Sequence, residues 1–161
     1  MSDLAYRVLD NIRMHLAAIS PSETATSAPG RFREWIDNDN LPGDASGSSR
    51  LYQLAWLGSG PDEGVTDGYS RLATHRIRID VFYSSRHPND ALQRLVMRDR
   101  SDIVKRLNVP TVNGSLVGYA GATTAPIGLY NRVRDDDELT RVDDLYILRM
   151  VWRCQIDETE S

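Results

Sequence analysis

The chain has 161 residues, enough for one buried core and too few for two, so a single domain over residues 1–161 is expected. With 26% charged and 40% hydrophobic residues it reads as globular, and a net charge of −4 excludes a generally basic nucleic-acid binder. The single cysteine, Cys154, excludes an internal disulfide and a cysteine-based zinc site.

In chain order, Leu4, Val8, Leu9, Ile12, Leu16 and Ile19 fall on one helical stripe that Ser20-Pro21 stops, which predicts a first helix over roughly 3–19. Arg7 and Asp10 balance on its polar face, so it reads as a helix packed on a sheet, not one lying on a membrane. No run approaches the ~20 apolar residues that span a bilayer, and Asp3 and Asp10 stand where a secretory signal would be basic and then apolar. Residues 21–30 are small and polar, a loop; 31–36 alternate as a short strand. Residues 37–49 are rich in Asn, Asp, Ser and Gly and read as a flexible loop or arm. A strand over 50–57 leads into a Gly-Pro turn region at 58–64. Gly58-x-Gly60 there lacks the third glycine, the lysine and the helix of a phosphate loop.

The stretch that organises the chain is Arg76-Ile-Arg-Ile-Asp-Val-Phe-Tyr83 with the helix after it. Side chains alternate across a strand, so Ile77, Ile79, Val81 and Tyr83 point to a core, and Arg76, Arg78, Asp80 and Phe82 point the other way. Asn89 or Asp90 is placed to cap a helix in which Leu92, Leu95, Val96, Ile103 and Leu107 form the apolar stripe, opposite Arg94, Arg98, Asp102 and Lys105. Residues 108–126 are Gly-, Thr- and Ala-rich, a mobile loop or a loose hairpin around Asn113-Gly114. A strand over 127–133 precedes the acidic run Asp135, Asp136, Asp137, Glu138, which reads as a solvated loop. A long strand over 144–156 closes the chain, with Tyr146, Leu148, Met150, Trp152, Cys154 and Ile156 on one face and Leu145, Ile147, Arg149, Val151, Arg153 and Gln155 on the other. If the two long strands pair, Arg76, Arg78, Arg149 and Arg153 share a sheet face, and both helices cover the opposite one. The fold class is α+β: a mostly antiparallel sheet with two helices on one face.

Chemistry is sparse in this pattern. His15, His75 and His87 show no metal-binding spacing, and His15 and His87 read as surface residues. No serine sits in a nucleophile elbow. Cys154, on an apolar strand face, reads as packing. Asp80 and the acidic run could gather Mg²⁺ for a nuclease, the alternative of another class. The Glu-x-Lys such sites use is missing, however, and Lys105 is the only lysine, so Asp80 is better read as an arginine's ion-pair partner. Phe82 is the one candidate for stacking a nucleic-acid base on the arginine face. No catalytic residue, cofactor or metal is assigned. A sheet face mixing arginines with apolar residues suits contacts between identical subunits closing into a ring.

In size, in element order, in Arg76-Ile-Arg-Ile-Asp-Val-Phe-Tyr83 followed by Asp90-Ala-Leu92, and in the closing Leu145-Tyr-Ile-Leu-Arg-Met-Val-Trp-Arg-Cys-Gln-Ile156, the chain resembles the tail terminator proteins of long-tailed bacteriophages and gene transfer agents. The resemblance implies a non-enzymatic virion protein assembled in the host cytoplasm. It would form a homo-oligomeric, hexameric ring that caps the tail tube, ends its polymerisation and offers the head-attachment surface. Its partners would be the tail tube protein and a connector or neck protein, with genomic DNA passing through the lumen unread and no membrane involved. A head-to-tail connector or neck ring is the alternative within the same machine. Because DNA must slide without sticking, Asp135, Asp136, Asp137 and Glu138 are expected at the channel or against a neighbouring subunit's arginine. Arg76, Arg78, Arg149 and Arg153 are expected at subunit or tube contacts.

Overall fold

A computed structural model describes residues 4–24, 26–61, 72–108, 111–112, 115–116 and 129–157. The elements are α1 (Leu4–Ala18), β1 (Arg33–Glu34), a 3₁₀ turn (Ser46–Ser48), β2 (Leu51–Pro61), β3 (Leu72–Ser84), α2 (Asn89–Leu107), β4 (Thr111–Val112), β5 (Ser115–Leu116), β6 (Leu129–Val142) and β7 (Leu145–Asp157). Five strands form one sheet in the order β1-β2-β3-β7-β6. All its pairings are antiparallel except the short β1–β2 contact. This is the expected α+β architecture, with two helices on the sheet.

The core follows from the two periodicities. Val8, Ile12 and Leu16 of α1 and Leu92, Leu95, Val96, Ile103 and Leu107 of α2 meet Ile77, Ile79, Val81 and Tyr83 of β3 and Leu148, Met150, Trp152 and Cys154 of β7 in one buried cluster. Each such aliphatic side chain contributes about 1.5–3 kcal/mol on burial. β3 and β7 pair along their whole length, Leu72 with Asp157 through Ser84 with Leu145.

Several boundaries differ from the sequence reading. β1 is two residues, and β2 runs on to Pro61 through a bulge at Trp56–Gly58, where Gly58 has φ 119, open to glycine alone. α2 starts one residue sooner than a capping Asn89 would require. Pro88 is its N-cap, no side-chain cap bond forms, and Asp90 stands in the first turn, where its charge suits the helix dipole. The acidic run is not a loop: Asp135 to Glu138 lie within the 14-residue β6, which turns into β7 through Asp143 at φ 53. Alternation explains the error, because four successive carboxylates split between two sheet faces and an edge strand tolerates charge.

Residues 37–49, expected as a flexible arm, are hydrogen-bonded back onto the sheet. Asp37 accepts from the backbone of Asp39 and Asn40 and from the Asn40 amide, the Trp35 indole donates to the Asn40 carbonyl at 2.8 Å, and Ser84 Oγ donates to the Asp44 carbonyl. In the Gly-rich stretch, Val112 pairs with Ser115 across positions 113 and 114, as a hairpin there requires. Most of 108–126 lies outside the described residues.

Candidate assembly surface

The face of the sheet away from the helices divides in two. Near Ser84 and Leu145 it is apolar and covered: Phe82, Leu145 and Ile147 form a second buried cluster against Trp35 and Leu51. Phe82, the candidate stacking ring, is only 1% exposed and is part of this packing, so no base can reach it.

Beyond that cluster the face is polar, and the register brings the four candidate arginines together. Arg149 stands opposite Asp80, Val151 opposite Arg78, and Arg153 opposite Arg76. Arg149 grips Asp80 through two bonds, Nε to Oδ1 at 2.9 Å and Nη2 to Oδ2 at 3.3 Å, and Arg78 Nε lies 3.2 Å from Oδ2. The bond to Asp80, with the charge of Glu138 adding to it, raises the Arg149 pKa above its usual value. Both oxygens of Asp80 therefore face guanidinium groups, the ion-pair role read from the sequence. Arg149 and Arg78 stay partly exposed even so, with side chains at 39% and 35%. Arg76 and Arg153 are exposed.

The acidic residues do not act as one patch. Glu138 stands opposite Arg149 on the arginine face, whereas Asp137 stands opposite Met150 on the helix side and binds Arg100 of α2 and Arg134 of its own strand. Asp136 stands opposite Val151 and Asp135 occupies the β6 bulge; the side chains of these two lie outside the described residues.

A second polar constellation, which the sequence did not announce, lies buried at the other end of the core. Arg50, 1% exposed, makes bonds of 2.9 Å from Nε and Nη2 to the two oxygens of Asp99 and donates to the carbonyls of Pro29 and Glu23. Tyr83 donates to Asp99 at 3.0 Å. These contacts hold Arg50 at φ 68, a left-handed conformation that costs a bulky residue about 1–2 kcal/mol. Burial drives the Asp99 carboxyl up from its ordinary value, opposed by the bonds from Arg50 and Tyr83, and pushes the Tyr83 hydroxyl well above 10. One signal was present: Asp99 continues the α2 stripe of Leu92, Leu95, Val96 and Ile103, and a carboxylate on a core stripe demands a cation.

Next to it, Ser49 Oγ lies 2.8 Å from His87 Nε2 and accepts the Ser84 N–H at 3.0 Å. Burial, then the charge of Arg50, lowers the His87 pKa from its ordinary value. With Ser49 fully buried, the pair is a clasp between two loops and has no room for a substrate. His87 is thus not a surface residue, and neither is His15, which is 1% exposed and accepts from Arg106 Nε at 3.0 Å. His15 lies three residues after Ile12 and one before Leu16, at the margin of the stripe. Cys154 is buried, as its strand face implied.

Among the described residues, no group of three or more His, Cys, Asp and Glu side chains could hold a metal ion, and no helix is long and apolar enough to cross a membrane. No protein-family model matches the chain, and no curated protein matches its sequence.

Proposed function

We infer that this chain is a structural subunit of a phage-type tail terminator: a ring, hexameric by the resemblance, that caps a tail tube, ends its growth and receives the DNA-filled head. One observation carries the reading. Four guanidinium groups are set in register on the uncovered half of a sheet whose other face carries the helices and the main core. Arginine suits a half-buried contact because its planar fork keeps its charge and bonds carboxylates and carbonyls when water leaves. Asp80 offsets part of that charge and holds Arg78 and Arg149 pointing along the sheet, so a partner meets ordered groups. The tail tube protein and a neck or connector protein are the other partners, with DNA passing through the lumen unread. The test is assembly of tails with this protein omitted, imaged by electron microscopy. Tubes of uncontrolled length are expected; tubes of normal, uniform length would remove the terminator function.

A further inference from the structure

The two outer edges of the sheet answer each other. β6 forms one edge. At the other, β1 pairs only with Leu51 and Tyr52, and among the described residues no strand pairs with β2 from Gln53 to Pro61. With β2, β3, β7 and β6 antiparallel in succession, β2 and β6 run in opposite directions. A copy added edge to edge in the same orientation therefore meets its neighbour in an antiparallel pairing, and the sheet continues from copy to copy. Contacts of this head-to-tail kind close rings.

The side chains on the edges match. On the helix side, Leu139 of β6 is 45% exposed and Trp56 of β2 is 47% exposed, each at the margin where the helices stop covering the sheet. The Trp56 indole is fixed by a 3.0 Å bond to His75 Nδ1. On the arginine side, β6 presents Glu138, and β2 presents Ala55, Gly58 and Gly60, with Arg78 and Arg76 one strand further in. A Cβ placed on Gly58 or Gly60 would meet nothing, so the approach to those arginines is open.

We propose that β6 of one copy pairs antiparallel with the free edge of β2 of the next, Leu139 opposite the neighbour's Trp56 and Thr140 opposite its Ala55. The proposal rests on the collar reading only in taking the partner to be a second copy. In this register Glu138 reaches the neighbour's bulge at Gly58, whose strand partner is Arg76, so carboxylate meets guanidinium across the joint. A hollow of about 90 Å³ lined by Asp137, Glu138, Arg149 and Val151 opens at this edge beside the arriving arginine. β6 ends at Val142, opposite the neighbour's Gln53, where β1 and the chain after it take over the edge. The stagger is four residues, about 13 Å, the kind of offset that closing a sheet of tilted strands requires. The charges on β6 discourage pairing with an arbitrary strand, so the joint is selective.

The test is a cysteine at each edge, Trp56→Cys with Leu139→Cys, in the full chain under mild oxidation. Directly opposite positions bring Cβ atoms within about 5.5 Å. Inside one chain the same positions are about 19 Å apart, three strand spacings across and four residues along, beyond the roughly 7 Å a disulfide spans. Cys154 is buried and stays out of the reaction. The expected result is a ladder of covalent oligomers ending in one closed species, absent from either single variant. Leu139 is exposed at the outer strand, so Leu139→Lys provides a second reading: it should leave the melting temperature in place and abolish the ring mass. A ring mass without interchain disulfides overturns edge pairing and leaves the collar standing. A monomer at every concentration, again without disulfides, overturns edge pairing too, and tail length then decides the collar on its own.

Discussion

Arg50–Asp99 and Arg149–Asp80 are both two-pronged ion pairs with an Nε contact of 2.9 Å, yet the side chains of the first are 2% and 0% exposed and those of the second 39% and 8%. The first is sealed by Tyr83, the Pro29 and Glu23 carbonyls and the ring of Phe32, 6.0 Å from the guanidinium. The second shares its carboxylate with Arg78 on a partly exposed face. Identical chemistry therefore does two jobs. Buried, it locks the 21–30 loop and the start of β2 to α2 and β3; half-exposed, it orders a polar surface.

The largest expected effect comes from breaking the sealed pair. Asp99→Asn leaves the Arg50 charge buried without its counter-ion, which costs about 3–5 kcal/mol. A urea midpoint close to wild type would show that water enters this end of the core. A core deletion gives the yardstick: Ile79→Ala, at a fully buried position on β3, should cost about 2–5 kcal/mol. Asp80→Asn should cost less than Asp99→Asn, because Arg78 and Arg149 are partly exposed and keep water when the carboxylate between them loses its charge, while both arginines become free to move. A loss as large as that of Asp99→Asn would erase the distinction between the two pairs.

Acidity separates the regions further. His87 is held below its ordinary value of 6.5 in the folded chain. As pH falls through that value the unfolded chain takes up the proton first, so stability that is complete above it is lost progressively below. Asp99 works with the opposite sign: its raised carboxyl favours the folded state in acid, and that contribution fades as pH rises above 3.8. The fall that begins as pH drops below 6.5 thus reports His87. His87→Gln should flatten the fall of melting temperature there, and an unchanged slope would place the proton elsewhere.

What the sequence revealed, and what it concealed, follows the range of the interactions. The stripes of α1 and α2 and the alternation of β3 and β7 are local periodicities, so the helix-covered face and the grouping of Arg76, Arg78, Arg149 and Arg153 could be read directly. Arg50 finds Asp99 forty-nine residues away, and Ser49 finds His87 thirty-eight away, and no local pattern joins them. The strand character of Asp135 to Glu138 was hidden for a related reason, since carboxylates are poor strand formers. There Arg100 of α2 binds Asp137 and a full ladder to β7 sets the conformation.

The most direct test of the account is the sedimenting mass of Arg149→Glu/Arg153→Glu beside wild type. Reversing both charges puts carboxylates where the account sets guanidinium groups against a neighbouring copy and should cost the assembly several kcal/mol, while the hydrophobic core on the opposite face is untouched. The account predicts a ring for wild type and a folded monomer, melting within a few degrees of it, for the variant. Equal masses for the two would contradict it.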